Sequence, residues 1–333
     1  MPTQEIIKAA ELLAQGQVVG MPTETVYGLA ARIDLPTGIE AIFKTKERPF
    51  FDPLIVHVSD LRQVHEITSN FPPLAQALAQ KFWPGPLTMV LPKNPELNPM
   101  ITSGLESVGV RMPSHPVALE LIRTVGVPLA APSANKFGKT SPTSAAHVRQ
   151  EFQKENVFVL EGGESEIGIE STVLLVKGQQ LSILRKGHIL KSDIEELLEL
   201  KGLDFEFVET VDKKESPGHM KHHYMPPVPL ILCLDPKKSE AELKSLIQAK
   251  LFELPDQIEE VRIVKPAGEI QKIARLQFSQ DPLLATRSFY SELRVLAAGN
   301  PDCIVLYKEP SHQGERWESL YDRINKAASL IIP

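Results

Sequence analysis

Short apolar runs, each closed within a few residues by proline, glycine or a hydroxyl side chain, constrain this chain more than any other feature. Residues 17–21, 54–58, 87–91, 108–111, 129–131, 157–160, 172–176 and 181–185 have the length and the leucine and β-branched content of strands. Amphipathic stretches lie among them. In residues 3–15, Ile6, Ile7, Ala10, Leu13 and Ala14 recur at helical spacing, with Thr3 placed to cap. Residues 39–46, 59–66 (with Ser59 as cap), 73–82, 116–125, 143–152 (after Ser141-Pro142) and 189–200 read as further helices. Strands and helices interleave, yet several strands follow one another directly. That pattern predicts an α/β fold with a mixed, twisted sheet.

The character changes over 201–228. Asp-Lys-Lys-Glu, Ser216-Pro217-Gly218 and His-Met-Lys-His-His-Tyr-Met-Pro-Pro have the punctuation of a linker. Regular alternation then resumes, with strands at 229–234, 261–264 and 303–307 and helices at 239–252, 282–298 and 315–329. This predicts a small, mostly parallel, Rossmann-like sheet. It carries no G-x-G-x-x-G, so the fold does not imply a dinucleotide. A length of 333 residues accommodates two such domains. The expected division is a catalytic domain at 1–204, a linker at 205–228 covering its site, and a C-terminal domain at 229–333.

Apolar residues make up 42% and charged residues 23% of the chain, enough for an ordinary core without staples. Cys233 and Cys303 form no metal or redox motif; they read as buried thiols in a reducing compartment. The N-terminus lacks a basic then apolar leader, and no apolar run approaches the roughly 18 residues of a membrane span. The expectation is a cytoplasmic protein without membrane contact. A net charge of −6 does not advertise a nucleic-acid binder. Residues 121–150 are a local exception, with Arg123, Lys136, Lys139 and Arg149 and no Asp or Glu. They are a cationic patch for phosphate or simply a solvated face.

Several motifs could carry chemistry. Gly138-Lys139-Thr140 invites a P-loop reading, but Ser133 stands where that motif needs its first glycine, so the match fails. Lys46 and Arg48 sit two apart before Pro49 and could converge on adjacent phosphate oxygens; taken by themselves they read as a solvated turn. His57 ends the apolar run after them and is either a functional or a satisfied structural histidine. Residues 131–135, Ala-Pro-Ser-Ala-Asn, offer small side chains and the donors Ser133 and Asn135 to phosphate or ribose, or form a turn with capping residues. Ser141 could add a hydroxyl. Arg111 closes a strand, where it could clamp a carboxylate bidentately or lie on the surface. Ser171 stands at a strand entrance, with Arg185 at the end of the next. His219, His222 and His223 resemble metal-ligand spacing, but no carboxylate or thiolate accompanies them, and no protein metal site is assigned. Tyr224 could pack on a base or cover a site.

Together and in order, these segments resemble the YrdC-like family of threonylcarbamoyl-AMP synthases, in its long two-domain branch. The resemblance rests on Pro22-Thr-Glu-Thr-Val-Tyr-Gly-Leu29, Lys46-Glu-Arg-Pro49, Pro53-Leu-Ile-Val-His57, Phe82-Trp-Pro-Gly-Pro-Leu-Thr88, Val110-Arg-Met-Pro113, Ala131-Pro-Ser-Ala-Asn135, Ser141-Pro-Thr143 and Glu170-Ser-Thr-Val173. Ser216-Pro-Gly218, His223-Tyr224 and Pro226 extend it into the linker.

The resemblance implies a nucleotidyltransferase that joins L-threonine, bicarbonate or carbon dioxide, and ATP, releasing pyrophosphate. The product would pass to a tRNA threonylcarbamoyl transferase complex for modification beside the anticodon. Magnesium with ATP and a monomeric enzyme are expected; direct contact with tRNA is left open. Thr25, His57, Arg111, Ala131 and Ser171 would line the threonine side. Lys46, Arg48, Asp52, Ser107, Ser133, Asn135, Ser141, Arg185 and Tyr224 would line the nucleotide side, with Lys46 and Arg48 catalytic. Asp52 stands where the family often has Asn, Lys186 where it often has Pro, and His219 where Met is frequent. Beside a phosphate, Asp52 would repel, so a hydroxyl or metal-linked contact is expected for it.

Two other readings compete. An RNA-binding module could use the same concave site, but the negative charge and the lack of an aromatic stacking motif count against it. A carbamoyl-adenylate enzyme of protein maturation would carry zinc-finger and acylphosphatase-like parts, for which this chain has neither cysteines nor length.

Overall fold

The structure is a computed structural model and describes residues 2–209, 222–258, 261–266 and 268–333. Residues 216–218 and His219 of the expected linker lie outside the described residues. The chain divides into two units, Met1–Lys136 with Pro142–His219, and Phe137–Ser141 with Met220–Pro333.

The first unit runs α1 (Gln4–Ala14), β1 (Val19–Met21), β2 (Gly28–Arg32), α2 (Pro36–Lys46), β3 (Ile55–His57), α3 (Leu61–Ile67), α4 (Pro73–Phe82), β4 (Leu87–Pro92), α5 (Pro99–Thr102), β5 (Ser107–Arg111), α6 (Pro116–Val125), β6 (Leu129–Ala130), α7 (Ala145–Glu151), β7 (Phe158–Val159), β8 (Thr172–Lys177), β9 (Gln180–Arg185), α8 (Lys191–Leu200) and β10 (Glu206–Phe207). Proline opens α2, α4, α5 and α6, where its missing N–H costs nothing and its fixed φ suits the first turn. Thr3 caps α1, as expected. Asp60, rather than Ser59, caps α3 by accepting from the backbone N–H of Arg62 at 2.8 Å. Ser144 caps α7, which therefore starts at Ala145 rather than at residue 143.

Ten strands form one sheet in the order β10-β9-β8-β4-β5-β3-β6-β2-β1-β7, with parallel and antiparallel neighbours. The mixed sheet expected from the sequence is present. Strand β2 was not anticipated, because its Gly-Leu-Ala-Ala-Arg has little β propensity; pairing with β1 and β6 on both sides supplies the ladder instead. Residues 206–207, expected in the linker, extend the sheet as β10 beside β9.

Period-two alternation sorts the sheet into two faces. One face presents Val56, Met89, Leu91, Val108, Val110 and Leu174 to α2, α3, α4 and α8, forming the main core. On the opposite face α1 and α6 pack over the β1, β2 and β6 part. Beyond them that face carries Ile55 and His57 of β3, paired in register with Gly109 and Arg111 of β5. Val90 of β4 pairs with Gly109, Thr88 with Val173 of β8, and Val173 with Arg185 of β9. Residues far apart in sequence therefore reach one surface through strand register alone.

The second unit holds β11 (Leu230–Cys233), α9 (Glu240–Leu251), β12 (Gln257–Ile258), β13 (Val261–Arg262), β14 (Ile273–Leu276), α10 (Pro282–Ala298), β15 (Cys303–Tyr307), α11 (Glu315–Ala327) and β16 (Leu330–Ile332). Its main sheet is β14-β15-β11-β16, with every neighbouring pair parallel. This is the Rossmann-like arrangement expected. The strand assigned to 261–264 does not join it; β13 pairs antiparallel with β12 as a separate ribbon. The β14 edge strand is only partly buried and too polar to stand out as an apolar run, and β16 is three residues directly after the helix expected at 315–329, too short to register as a strand. Cys233 and Cys303 are free thiols in the core against α9. Burial pushes the Cys303 thiol up to about 12, so it is inert as a nucleophile.

Gly187 lies just past β9, where the chain crosses residues 171–172. A Cβ there would stand 2.3 Å from the Thr172 nitrogen and 2.7 Å from the Ser171 carbonyl carbon. These are backbone atoms, so no side chain can swing away. Gly187→Ala is expected to destabilise the fold by about 1–3 kcal/mol, read as a lower denaturation midpoint in urea. An unchanged midpoint would mean that this crossing is not tight.

Candidate active site

Arg111 is the centre of the constellation on the open part of the sheet. It ends β5 and is buried, with 4% exposure. Its Nε donates to the Gly85 carbonyl at 3.2 Å and its Nη1 to Thr25 Oγ1 at 2.9 Å. Its Nη2 lies 2.7 Å from Glu24 Oε1, an ion pair between two buried side chains. The surface-arginine reading therefore fails.

The loop carrying Glu24 and Thr25 joins β1 to β2 and is fixed by its own hydroxyls. Thr23 Oγ1 donates to the Val26 carbonyl at 2.6 Å and lies 2.9 Å from Thr25 Oγ1. From outside, Ile167 N–H donates to the Glu24 carbonyl at 2.9 Å, Gly168 N–H to that of Thr25 at 3.2 Å, and Ser165 Oγ to that of Thr23 at 3.0 Å. Glu24 was not singled out in the sequence. The signal was available: a carboxylate between two threonines in a loop directly after an apolar strand.

His57 stands beside Arg111 on β3. Its Nδ1 lies 3.3 Å from the Ile55 carbonyl, which can only accept, so Nδ1 carries the hydrogen and Nε2 is an acceptor. Burial, reinforced by the Arg111 charge, lowers its pKa to about 3. His57 is thus a neutral imidazole through the physiological range. Ala131 joins this side through its backbone N–H, which donates to the Ile55 carbonyl at 3.0 Å.

On the β8–β9 side, Ser171 Oγ lies 2.8 Å from Thr88 Oγ1 and accepts from Arg185 Nη2 at 3.1 Å, while Arg185 Nε holds the Ser171 carbonyl at 3.1 Å. Thr88 and Ser107 line a tight recess with Ile55, Gly109 and Val173. Thr88, which closes the Phe82–Thr88 motif, is a second residue outside the site set expected from the sequence.

Lys46 and Arg48 are not on a solvated turn. Lys46 is the last residue of α2 and is 1% exposed. The helix ends because Glu47 adopts the left-handed conformation, with Arg48 N–H closing onto the Phe43 carbonyl at 3.0 Å. Lys46 Nζ donates to the carbonyls of Ser133 and Asn135, which ties the two short motifs together. Burial drives the Lys46 pKa well below the ordinary lysine value, and the Arg48 charge adds to that shift. Arg48 pairs with Asp52 at 2.9 Å and donates to the Pro53 carbonyl at 2.8 Å. Asp52 was expected to turn to a hydroxyl or a metal; among the described residues it forms an ion pair with Arg48, whose charge it balances.

Ser141 and Tyr224 belong to the second unit. Ser141 is buried there. Tyr224 is buried with φ of 65°, rare for a side chain of that size; its ring lies 4.2 Å from that of His223 and 5.9 Å from that of Tyr290, with the Arg323 guanidinium 5.7 Å above it. Among the described residues no group of three His, Cys, Asp or Glu is placed to hold a metal ion. A separate cleft of about 810 Å3 beside α1 and β7 shares no residue with the constellation.

Comparison with known proteins bears on both units. The Sua5/YciO/YrdC family model, described as "Telomere recombination", matches residues 11–187, and a model described as "Threonylcarbamoyl-AMP synthase, C-terminal domain" matches residues 189–329. The threonylcarbamoyl-AMP synthase of Bacillus subtilis is 42% identical over 245 residues, covering 73% of this chain and 70% of that protein. The synthase of Schizosaccharomyces pombe is 31% identical and covers 94% of this chain and 85% of its own length. Among solved structures, the crystal structure of Pyrococcus abyssi Sua5 complexed with L-threonine matches with a TM-score of 0.82 at 32% identity, over 100% of this chain and 98% of that one.

The neutral His57 makes folding sensitive to acid. The unfolded chain binds a proton near pH 6.5 that the folded chain refuses until about pH 3, so stability from this residue is full above 6.5 and is lost as pH falls between the two values. Between pH 7 and pH 5 the loss amounts to about 2 kcal/mol. His57→Gln should remove that part of the pH slope in urea denaturation. An unaltered slope would mean that folded His57 titrates normally.

Proposed function

The chain belongs to the Sua5/YciO/YrdC family, and from that premise we propose that it is a threonylcarbamoyl-AMP synthase, joining L-threonine, bicarbonate or carbon dioxide, and ATP with release of pyrophosphate. The observation that carries this reading is the presence of two buried charge arrangements on one unit. Arg111 with Glu24 and neutral His57 suits a small amino acid. Lys46 with the Ser133 and Asn135 segment, beside Arg48, suits a polyanion.

In this reading Arg111 holds the threonine carboxylate, and Thr25, His57, Ala131 and Ser171 complete that side. His57 Nε2, an acceptor, can take the threonine hydroxyl proton in a hydrogen bond. The amine must be uncharged to attack carbon, and a dry site lowers the cost of deprotonating it. Once its ammonium proton has passed to solvent, the amine nitrogen adds to the carbon of CO2 (bicarbonate first taking up a proton and losing water), the N–C bond forming as one C=O π pair moves to oxygen and an N–H proton leaves to solvent. The carbamate oxygen then attacks the α-phosphorus of ATP, its lone pair forming the O–P bond while the bond to the departing pyrophosphate oxygen breaks. Negative charge grows on the leaving group. Lys46 is poised to meet it: buried among carbonyls it resists protonation alone, and an arriving phosphate supplies the anion that restores its ammonium form. Arg48, braced by Asp52, stands next to it. Asp52, Ser107, Ser133, Asn135 and Arg185 form the nucleotide side, with Ser141 and Tyr224 of the second unit assigned there by resemblance alone. Magnesium enters with the triphosphate, as part of the substrate. No covalent enzyme intermediate is required, so catalysis is positioning and electrostatics.

The product would serve a transferase acting on tRNA. Among the described residues no helix is long and apolar enough to cross a membrane.

Pyrophosphate release from ATP tests the reading. It should require L-threonine and bicarbonate together; release independent of threonine, or none from folded protein in magnesium buffer, would contradict it. Salt-sensitive RNA binding in the latter case would favour the binding-module alternative. Arg111→Ala should raise the threonine KM about 100-fold with little change in that of ATP. Lys46→Ala should lower kcat with threonine binding retained. A wild-type threonine KM in Arg111→Ala would remove the carboxylate clamp from this account.

A further inference from the structure

We infer that Glu24 is the ammonium receptor of the amino-acid site, and that Glu24 and Arg111 together select a zwitterion rather than an anion. The inference rests on the functional reading above and deepens it.

Glu24 is 4% exposed, and both of its carboxylate oxygens are buried with no hydrogen-bond partner. The 2.7 Å approach to Arg111 Nη2 supplies charge but not hydrogen-bond alignment, since Nη2 is likewise without a hydrogen-bond partner. A buried carboxylate is normally surrounded by donors, and leaving its acceptors empty is costly. Nothing in the local fold relieves it: the loop is pinned through the backbone of Thr23, Glu24 and Thr25, which leaves the side chain alone to face the site. The empty positions call for a ligand that brings several N–H donors and a positive charge.

An α-amino acid does so. Its ammonium carries three donors and its carboxylate sits on the same carbon. Receptors for the two groups must therefore also be adjacent, one accepting and one donating, as Glu24 and Arg111 are. The donors of Arg111 that remain after Gly85 and Thr25 serve the carboxylate. The charges of Glu24 and Arg111 cancel, and the neighbouring His57 is neutral. A net-neutral receptor fits a zwitterion and gives little to a simple carboxylic acid, which would meet the Glu24 charge beside the Arg111 clamp. Glu24 thus distinguishes an amino acid from its hydroxy-acid counterpart, and it holds the nitrogen in a fixed place before it reacts.

The test is calorimetric binding of L-threonine and of (2S,3R)-2,3-dihydroxybutanoate, which replaces the ammonium with a hydroxyl, to the full chain. The unaltered protein should prefer threonine by at least about 30-fold. Glu24→Gln should weaken threonine roughly 10- to 100-fold and leave the hydroxy acid unchanged or tighter, collapsing the preference. Glu24→Asp, which keeps the charge, should recover part of it. Equal weakening of both ligands in Glu24→Gln would show that Glu24 acts only by orienting Arg111 or by supporting the fold, and unchanged threonine affinity would show no role; either overturns the inference. Failure of the unaltered protein to bind threonine would overturn the functional reading beneath it instead.

Discussion

Burying the guanidinium of Arg111 is the constraint on which the rest of the site depends. A lone buried cation costs several kcal/mol, and it persists only where acceptors and an opposite charge meet it. The chain supplies them from two separate places: the Gly85 carbonyl, and the Thr25 hydroxyl and Glu24 carboxylate of a single loop. That requirement fixes where the loop between β1 and β2 must lie, and the threonines on either side of Glu24 fold the loop to fit. The residues 165–168 that brace it are drawn in by the same demand. Without Glu24, Arg111 would still be held by the Gly85 carbonyl and the Thr25 hydroxyl, but its charge would be unanswered until a carboxylate ligand arrives.

Two charge designs share this unit. Around Arg111 the charges cancel and the imidazole is held neutral, which suits a small zwitterion. Around Lys46 the balance is incomplete: Asp52 answers Arg48, while Lys46 donates to the Ser133 and Asn135 carbonyls and loses basicity through burial. A site of this second kind gains most when a polyanion arrives. The division matches the two halves of an adenylate-forming reaction, an amino acid on one side and a nucleotide triphosphate on the other. Ser171 links toward both, through Thr88 and Arg185.

Much of this could be read from the sequence, and the remainder has physical reasons. Prolines at helix starts and apolar runs of strand length located most elements, since those signals are local. Strands β2 and β14 escaped because their pairing is supplied by neighbours and not by their own propensity, and β16 because it is only three residues directly after the expected helix. Lys46 and Arg48 looked like a solvated turn, for a polar turn and a buried helix end have the same composition; only the left-handed Glu47 and the distant Ser133 and Asn135 carbonyls distinguish them. Glu24 was passed over because its meaning lies in a partner 87 residues further along the chain, brought close by strand register. Of the residues named from the resemblance, strand register brings His57 beside Arg111, and Lys46 binds the Ser133 and Asn135 carbonyls, whereas Ser141 and Tyr224 stand in the second unit.

The central claim is that one site joins the carbon of bicarbonate to the threonine amine and then to AMP. The most direct measurement is the mass spectrum of the nucleotide product formed from 13C-bicarbonate, L-threonine and ATP. The account predicts a threonylcarbamoyl-AMP adduct that gains one mass unit from the labelled carbon. An adenylate that carries threonine without the label, or AMP and ADP with no threonine adduct, would contradict it.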